Sequence, residues 1–372
     1  MMDQEFRAWA TEFAERVAGR FDADFLHKTV LSFQFLPEVI EKDRFQPETE
    51  MPIWTYLQKT CSSERVAQGQ QLLTKFQTSL DEIVHAYGVP VQVLLAVWGC
   101  ETAYGSNRGG FLVLDALASL AFEGRRAAFF EKQLIAALDI LKAGDVSANR
   151  FLGSWAGAMG HTQFMPCSYL QHAVDFDGDG FSDIWSDSPV DALASTAAYL
   201  QAQGWRAGQI WGAEVFLSPE AALDLPPPDT ALNLSDWALR GLTPYQGLPE
   251  NGLAKLILPA GIQGPKFMVL ENYTALLAYN PAQAYALSVC ALGDAIAGGL
   301  GLVQPWPIGE AALSRNEKRN VQIALSALGY DTFGADGLMG PNTAAALWRY
   351  QRDQGYVADA YLSRALWAEL AG

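Results

Sequence analysis

Glu101 is the acidic residue whose setting in the sequence best suits acid–base chemistry. It follows the apolar run 91–100 and precedes Thr102-Ala103-Tyr104-Gly105. If that run is a buried helix, Glu101 is a carboxyl group at its tip, and desolvation raises the pKa of a carboxyl group because it disfavours the charged form. A carboxylic acid that is protonated near neutral pH can donate a proton to a leaving oxygen. The alternative is a half-buried glutamate paired with an arginine.

A second segment, 154–166, has small residues, two glycines, few charges and no clean period. Such a stretch is either a buried turn or the wall of a groove where backbone approaches a ligand. Gln163 is its one side chain that offers both an amide donor and an acceptor.

A third segment, residues 175–183, begins like an EF-hand calcium loop and is called the aspartate loop below. Asp175, Asp177 and Asp179 stand at positions 1, 3 and 5, Gly180 at position 6, and the carbonyl of Phe181 at position 7. Hard oxygen ligands favour Ca²⁺ over a transition metal, and three adjacent carboxylates repel one another without a cation. The alternative is a solvated turn rich in Asx hydrogen bonds.

The position that closes an EF-hand calcium loop lies beyond the aspartate loop and departs from the EF-hand pattern. Position 12 is Ser186 and not a glutamate, so the closing carboxylate would be Asp187 or Asp191.

The elements that position these segments are predicted to be mostly helical. Apolar periodicity and Gly/Pro breaks predict helices over 3–19, 63–87, 91–101, 115–122, 125–143, 189–203 and 280–297, and short strands over 253–258 and 267–270. Asp115 is predicted to cap its helix, and Glu123 and Glu131 to lie on a solvated helical face. Glu101 therefore has no evident acidic partner.

Composition limits the classes of function. The chain has 372 residues, of which 50% are hydrophobic, and a net charge of −16. This argues for two or more domains and against nucleic acid or anionic membrane surfaces as partners. No apolar run is long enough to span a membrane, and the start of the chain does not read as a signal peptide.

The cysteines and histidines show no metal-site spacing. Cys61, Cys100, Cys167 and Cys290 form no CxxC, which predicts buried thiols; a disulfide among them cannot be read from the sequence. The four histidines have no HExxH-type spacing and are predicted to be structural or exposed.

A Gly/Pro-rich stretch over 298–307 marks a domain boundary. Beyond it, short helices over 321–328, 342–354 and 362–370 and a Gly/Asp-rich loop over 336–340 predict a small three-helix unit. A unit of this size is usually a binding module.

Together these segments resemble the lytic murein transglycosylase B family, glycoside hydrolase family 103, over roughly residues 3–305. The resemblance rests on Gly-Cys-Glu-Thr-Ala-Tyr-Gly around Glu101, on segment 154–166, and on the aspartate loop, in that order. Residues 314–370 resemble the peptidoglycan-binding type 1 module, through Val321-Gln322, Leu328-Gly329-Tyr330, Asp336 to Gly340, Thr343 and Tyr350-Gln351.

The resemblance implies a fold class that is mainly α (α+β). A lysozyme-like core at about 63–205 would lie within a catalytic region 1–305 that includes a small β-containing subdomain. A linker, 306–313, would lead to the three-helix module 314–372.

The resemblance also implies site residues. Glu101 would be the single catalytic acid/base, and Asp191 would close a calcium site with Asp175, Asp177, Asp179 and Phe181. The substrate-binding residues would be Ser154, Gln163, Phe164, Tyr199, Tyr56, Tyr279, Asn280, Tyr285 and the pair Arg125 and Arg126.

The activity implied is cleavage of peptidoglycan between N-acetylmuramic acid and N-acetylglucosamine, with 1,6-anhydromuramic acid ends. The chemistry would need no cofactor, although a structural Ca²⁺ is expected. The partners would be periplasmic glycan strands, with other cell-wall enzymes as candidates. Three alternatives stay open: a hydrolytic muramidase, a non-catalytic cell-wall scaffold and a chitin-directed enzyme.

Overall fold

The computed structural model describes residues 2–44, 51–299, 301–309 and 311–372. The chain forms two compact units. Unit 1 comprises residues 1–46 and 68–202, and unit 2 comprises residues 47–67 and 203–372. Unit 2 is therefore discontinuous in sequence, because a short N-terminal segment belongs with the C-terminal half of the chain.

Unit 1 is built almost entirely of helices. Its one small sheet pairs Phe111–Leu112 with Leu152–Gly153 in antiparallel fashion. The helices that lie wholly in this unit are Met2–Val17, Ala23–Thr29, Pro37–Arg44, Gln77–Tyr87, Val91–Thr102, Val113–Glu123, Ala127–Ala143, Pro166–His172 and Val190–Ala202.

The Val91–Thr102 helix is the buried centre of unit 1. It starts after Pro90, whose extended backbone (φ −61°, ψ 143°) sets the entry of the chain, and Val93 to Gly99 are all buried. A helix that is apolar on every face has no solvent side, so it lies inside the unit. The helix ends where Ala103, Tyr104 and Gly105 take positive φ values of 49°, 57° and 83°.

The helix predicted over 63–87 is in fact two helices, and the prediction of one is wrong. Ser63–Lys75 and Gln77–Tyr87 are separated by Phe76, whose φ of −108° and ψ of 19° are not helical. The Phe76 ring packs edge-on against Trp98 at 6.3 Å. The break thus falls at a residue that makes a tertiary contact, and no Gly or Pro marks it in the sequence.

Unit 2 contains a five-stranded antiparallel sheet. Two of its strands, Leu253–Ile257 and Lys266–Val269, confirm the predicted ones, and the other three were not predicted. The spatial order is Ala231–Asn233, Leu253–Ile257, Lys266–Val269, Gly212–Leu217 and Leu242–Pro244. One face buries Val215, Trp237 and Met268 in an apolar core.

Helices complete the part of unit 2 that precedes the C-terminal module. They are Ile53–Thr60, Leu234–Leu239, Glu271–Tyr279 and Gln283–Ile296. The first of them comes from the N-terminal segment, and the Thr60 hydroxyl donates a buried hydrogen bond to Ser288 Oγ at 2.9 Å. This bond ties two helices that are 228 residues apart.

The C-terminal module has the three predicted helices, Arg315–Ala327, Pro341–Asp353 and Arg364–Ala371. The first starts earlier than predicted because Ser314 and Glu317 form a capping box. The buried Gln322 amide holds the Gly/Asp-rich loop: its Nε2 donates to the Leu338 carbonyl at 2.9 Å, and its Oε1 accepts from Gly337 N at 2.7 Å.

Among the described helices, none alone has the length and apolarity needed to cross a membrane. Taken together, the helices Gln77–Tyr87 and Val91–Thr102 have that length and apolarity, but they are bent by 109° relative to each other.

Candidate active site

Glu101 lies half-buried in the last turn of the Val91–Thr102 helix. The next residue, Thr102, is buried, and its hydroxyl donates to the His161 carbonyl at 2.6 Å while accepting from Gly105 N at 2.9 Å. The side chain adjacent to Glu101 therefore joins the end of the helix to segment 154–166.

Segment 154–166 folds into a tight, hydrogen-bonded loop. Met159 and Phe164 form an antiparallel bridge, with N–O distances of 2.8 and 2.9 Å. The Ser154 Oγ accepts from Ala156 N at 3.3 Å and from Ala158 N at 3.0 Å. The Ser154 hydroxyl proton is not used in either bond, so it can be donated to a ligand.

Gln163 occupies the strained position of this loop, with a φ of 55°. Non-glycine residues rarely adopt this conformation, and where they do it is often at a functional site. The Gln163 Nε2 donates to the Gly160 carbonyl at 3.0 Å and to the Arg108 carbonyl at 3.3 Å. These bonds use the amide nitrogen, and the amide oxygen can act as an acceptor.

Gly160 explains why this loop needs a glycine. Its φ is 72°, and a Cβ there would lie 2.6 Å from the Ile184 carbonyl oxygen. The close approach lets the loop pack on the segment that follows the aspartate loop.

Phe164 and Tyr199, both predicted site residues, meet in unit 1. Their ring centroids are 6.0 Å apart, and the Phe164 side chain is buried. Tyr199 comes from the Val190–Ala202 helix, and burial raises the pKa of its phenol. Glu101, Ser154, Gln163, Phe164 and Tyr199 thus all belong to unit 1.

The predicted pair Arg125 and Arg126 is anchored by a residue that the sequence did not suggest. Arg125 Nε and Arg126 Nη2 each donate to the Asp43 carboxylate at 2.8 Å. The Asp43 side chain is only 2% exposed, whereas both arginines are 46% exposed. One buried negative charge therefore supports two partly exposed positive charges.

The remaining predicted substrate residues lie in unit 2. Tyr279 and Tyr285 stack with their ring planes 3° apart and their centroids at 6.3 Å. The Asn280 Oδ1 accepts from Ala282 N at 3.0 Å, in the turn between the two helices that carry these rings. Tyr56 lies half-buried in the Ile53–Thr60 helix.

In the aspartate loop, the carboxylates of Asp175, Asp177 and Asp179 converge, with ligand oxygens within 4.8 Å of one another. Backbone N–H groups shape the loop: Gly178 N and Gly180 N donate to Asp175 at 2.8 and 2.9 Å. Three exposed oxygen ligands with this spacing fit a hard divalent cation.

Asp191, predicted to close this site, is buried at the start of the Val190–Ala202 helix. It accepts from Phe176 N and Asp177 N through Oδ1, at 2.9 and 3.3 Å, and from Asp183 N through Oδ2 at 3.0 Å. Its carboxylate thus braces both ends of the aspartate loop.

Asp115 does not cap its helix, so that prediction is wrong. The helix begins at Val113 after Leu112, and the buried Asp115 Oδ1 accepts instead from Gln34 N at 3.0 Å. Desolvation raises the pKa of this carboxyl group. Asp115 thus holds the segment that follows the Ala23–Thr29 helix.

Glu123 and Glu131 lie on the surface as predicted, paired at 2.9 Å with Arg44 and Arg16 respectively. All four cysteines are free thiols, as predicted, but only Cys290 is buried; Cys61, Cys100 and Cys167 are half-buried, so the prediction of burial is wrong for these three.

Unit 2 holds a cavity of about 600 Å³ between its sheet and the C-terminal module. Both carboxylates in its lining are already engaged. Asp229 pairs with Lys255, and Asp359 accepts from Ile262 N and Tyr361 N at 2.9 Å. The cavity walls therefore offer no rival acid–base pair among the described residues.

The sequence belongs to a known family. Residues 5–294 match the transglycosylase SLT domain family, and residues 314–370 match a peptidoglycan binding domain family. The chain therefore belongs to the transglycosylase SLT family of lytic transglycosylases, with a peptidoglycan-binding module at its C-terminal end.

The chain is similar to named proteins of two bacteria. Over 245 residues the chain is 36% identical to membrane-bound lytic murein transglycosylase B of Escherichia coli K12, an alignment that covers 65% of this chain and 66% of the relative. It matches SltB3 of Pseudomonas aeruginosa, solved with NAG-anhNAM-pentapeptide, with a TM-score of 0.93 and 43% identity over 99% of each chain.

A further solved structure is Escherichia coli Slt35 in complex with calcium, with a TM-score of 0.69 and 33% identity. That match covers 77% of this chain and 92% of the other. These likenesses confirm the predicted fold class, a lysozyme-like catalytic region followed by a small helical module.

Proposed function

We propose that this chain cleaves the β-1,4 bond between N-acetylmuramic acid and N-acetylglucosamine in peptidoglycan and leaves 1,6-anhydromuramic acid ends. The observation that carries the proposal is the match to SltB3 over 99% of each chain, because that protein was solved with an anhydromuramyl product fragment. The position of Glu101, beside the loop that carries Ser154 and Gln163, supports it.

In the proposed mechanism Glu101 acts twice. Its protonated carboxyl group first donates a proton to the glycosidic oxygen, and the bond from that oxygen to C1 of the muramyl sugar breaks. The substrate's N-acetyl group stabilises the positive charge on C1. The Glu101 carboxylate then removes the proton from the muramyl 6-hydroxyl, whose oxygen bonds to C1 and closes the anhydro ring. No water is consumed, and Glu101 ends protonated again.

The other site residues position the sugar. Ser154 has a hydroxyl proton to donate, and the Gln163 amide oxygen can accept; both groups are held by the loop's own hydrogen bonds. Such fixed polar groups hold the reacting sugar and the acid in line. Phe164, Tyr199, Tyr279, Asn280, Tyr285 and Tyr56 are proposed to shape the sugar subsites, and the Arg125–Arg126 pair to meet peptide or lactyl carboxylates.

We also propose the domain boundaries: a catalytic region 1–305, a linker 306–313 and a wall-binding module 314–372. The family matches over 5–294 and 314–370 support this division. The module would hold the enzyme on its insoluble substrate.

The aspartate loop is proposed to hold a structural Ca²⁺ through Asp175, Asp177, Asp179 and the Phe181 carbonyl, with Asp191 closing the loop. The convergence of three carboxylates and the calcium complex of the relative Slt35 support this. The cation would neutralise the loop and stabilise unit 1, and the chemistry at Glu101 needs no metal. Glycan strands in the periplasm would be the partner, with other cell-wall enzymes as candidates.

Digestion of purified sacculi, with mass spectrometry of the released muropeptides, tests the activity. Wild-type protein should release products that are one water lighter than hydrolytic products. Glu101→Gln should fold normally and lose on the order of 10²- to 10⁴-fold of turnover, because the amide cannot donate the proton. Glu131→Gln makes the same chemical change at an exposed ion pair and should retain activity.

Other products would support the alternatives. Reducing muramyl ends would identify a hydrolytic muramidase, and binding to sacculi without any product would identify a scaffold. Cleavage of chitin but not of sacculi would identify a chitin-directed enzyme. Full activity of Glu101→Gln would remove Glu101 from the mechanism.

A further inference from the structure

His161 is the buried centre of a hydrogen-bond network beside Glu101. Its side chain is enclosed in unit 1, with only 5% of the residue exposed. The Trp98 indole Nε1 donates to His161 Nδ1 at 3.1 Å, and His161 Nε2 lies 2.8 Å from the Ser186 carbonyl oxygen.

These partners define the state of the imidazole. An indole nitrogen can only donate, so Nδ1 is the bare acceptor, and Nε2 carries the proton that goes to Ser186. Arg108 Nη1 lies 3.3 Å from Nε2 but donates to the Trp185 and Ser186 carbonyls at 2.7 and 2.9 Å. His161 is therefore neutral and in one tautomer, and burial lowers its pKa accordingly.

The backbone of His161 makes two further connections. Its carbonyl accepts from the Thr102 hydroxyl at 2.6 Å, and its N–H donates to the Ile184 carbonyl at 3.1 Å. The Gly105 backbone passes so close that a Cβ there would lie 2.7 Å from His161 Nδ1. This one residue thus contacts the end of the Glu101 helix and the segment 184–186 that follows the aspartate loop.

The spacing of these contacts bears on Glu101. Trp98 and Thr102, one on each side of Glu101 along the helix, are both bonded to His161, and Gln163 is two residues beyond it in the chain. His161 therefore lies on a hydrogen-bonded connection between the end of the Glu101 helix and the loop that carries Gln163. A reacting group displaced by about 1 Å can cost on the order of 10²-fold in rate.

We propose that His161 is a positioning residue for Glu101: it locks the end of the Glu101 helix to the Gln163 loop and to the segment after the aspartate loop. The role at Glu101 rests on the proposed function, whereas the link between the three segments rests on geometry alone. His161 itself contacts no reacting atom.

The test compares His161→Phe, which keeps an aromatic ring against Trp98 but has no ring nitrogen, with His161→Gln, whose amide can still donate to Ser186. The Phe variant should lose at least about tenfold in kcat with KM within about twofold of wild type. The Gln variant should recover part of that loss. His85→Gln, at an exposed site in the same unit, is the matched control and should leave kcat unchanged.

Hydrogen–deuterium exchange gives a readout that does not depend on activity. His161→Phe should speed exchange in both 98–105 and 184–187, with the Ala127–Ala143 helix unchanged. Unchanged exchange in both segments would overturn the proposal, as would a Phe variant with wild-type kcat. If the Phe variant does not fold, the Gln variant should show both effects at a smaller size, and a Gln variant with wild-type kcat and wild-type exchange would then overturn the proposal.

The two proposals fail in different ways. If wild-type protein gives no transglycosylase product but His161→Phe shows the faster exchange described above, the proposed function is overturned and the structural link stands. If wild-type protein gives the product but His161→Phe lacks either the kcat loss or the exchange effect, the role of His161 at Glu101 is overturned.

Discussion

The carboxylate of Asp43 accepts a hydrogen bond from Arg125 Nε at 2.8 Å, and this pair joins two parts of unit 1 that are 82 residues apart. The same carboxylate binds Arg126. The negative charge of Asp43 offsets one of the two positive charges of Arg125 and Arg126. The cluster of these three side chains therefore has a net charge of +1, on a strongly acidic protein. That charge can attract a substrate carboxylate.

Asp43→Asn is therefore expected to do two things. It should lower the free energy of unfolding by about 2 kcal/mol, because charge-assisted hydrogen bonds to a buried acceptor are lost. It should also raise KM for glycans that carry stem peptides, because the two guanidinium groups lose the carboxylate that fixes their positions, and this loss of order outweighs the gain of one net positive charge. KM for peptide-free glycans should stay unchanged. Denaturant unfolding and kinetics on both glycans measure these effects.

Arg44→Ala is the control for Asp43. It breaks the exposed pair between Arg44 and Glu123 and should cost less than about 0.5 kcal/mol. Equal KM changes on both glycans would contradict a role for the arginine pair in recognising the peptide.

Calcium should stabilise the aspartate loop. Wild-type protein is expected to melt at a higher temperature in excess Ca²⁺ than in EDTA, because the cation binds the folded loop in preference to the unfolded chain. Asp177→Asn should abolish the shift, since it removes one of the three converging carboxylates. Differential scanning calorimetry measures the shift.

Asp187→Asn separates the two candidates for the closing carboxylate. Asp187 is exposed and outside the converging group, so this variant should keep the calcium shift. Loss of the shift in Asp187→Asn would assign the closing position to Asp187 in place of Asp191. An identical melting temperature for wild-type protein in Ca²⁺ and EDTA would show that the loop holds no ion.

The strain at Gln163 predicts a trade between stability and activity. Gln163→Ala keeps the positive φ and loses the amide bonds, whereas Gln163→Gly loses both the strain and the bonds. The Gly variant should therefore be more stable than the Ala variant by about 1 kcal/mol, and both should have low kcat. Urea unfolding of the pair isolates the backbone contribution, and equal stability of the two variants would show that the position is not strained.

The half-buried carboxyl group of Asp294 in unit 2 predicts a specific dependence of stability on pH. Burial raises the pKa of Asp294 to about 6 from 3.8, although its Oδ2 accepts from Trp211 Nε1 at 3.1 Å. A pKa raised by folding means that the protonated form is favoured in the folded state. Its contribution to stability is therefore fully present below about pH 4 and is lost as the pH rises through about 6.

Asp294→Asn should therefore raise the free energy of unfolding by about 1–3 kcal/mol at pH 8 and leave it nearly unchanged at pH 4. The asparagine still accepts from Trp211 but cannot ionise. Asp224→Asn, at an 87% exposed carboxylate of the same unit, should change neither value appreciably. A destabilised Asp294→Asn variant at pH 8 would show that the charged form is the one that the fold favours.

Local patterns predicted the long helices and the segments of the site in unit 1, but they missed shorter helices such as Pro37–Arg44 and Pro166–His172. The Val91–Thr102 helix follows from an unbroken apolar run between Pro90 and the turn at Gly105, and the aspartate loop follows from oxygen ligands at alternate positions. Three strands of the sheet were missed for two reasons. Ala231–Asn233 and Leu242–Pro244 have only 3 residues each, and Gly212–Leu217 is buried at all but one position, so it lacks an alternation of polar and apolar residues.

Residues that act through distant partners could not be found from their neighbours in the sequence. His161 has no ligand spacing, and its role depends on Trp98 and Ser186, which meet it only in the folded chain. In the sequence, Asp43 is likewise an ordinary acidic residue of an amphipathic helix. Its contacts with Arg125 and Arg126 are visible only in the folded chain. His161 stands between Gly160 and Thr162, and Asp43 between Lys42 and Arg44, so the neighbouring residues give no signal for either role.

The discontinuity of unit 2 has a consequence for how the chain is made. On the ribosome the Ile53–Thr60 helix emerges early, yet Ser288, which accepts the hydrogen bond from the Thr60 hydroxyl, is synthesised 228 residues later. Unit 1 can fold once residue 202 has emerged. The Ile53–Thr60 helix, in contrast, exposes Trp54 and Leu57 until the rest of unit 2 has been synthesised, and these exposed apolar side chains can bind chaperones. For the same reason a gene fragment that starts at residue 203 encodes an incomplete unit, however well its sheet and module are preserved.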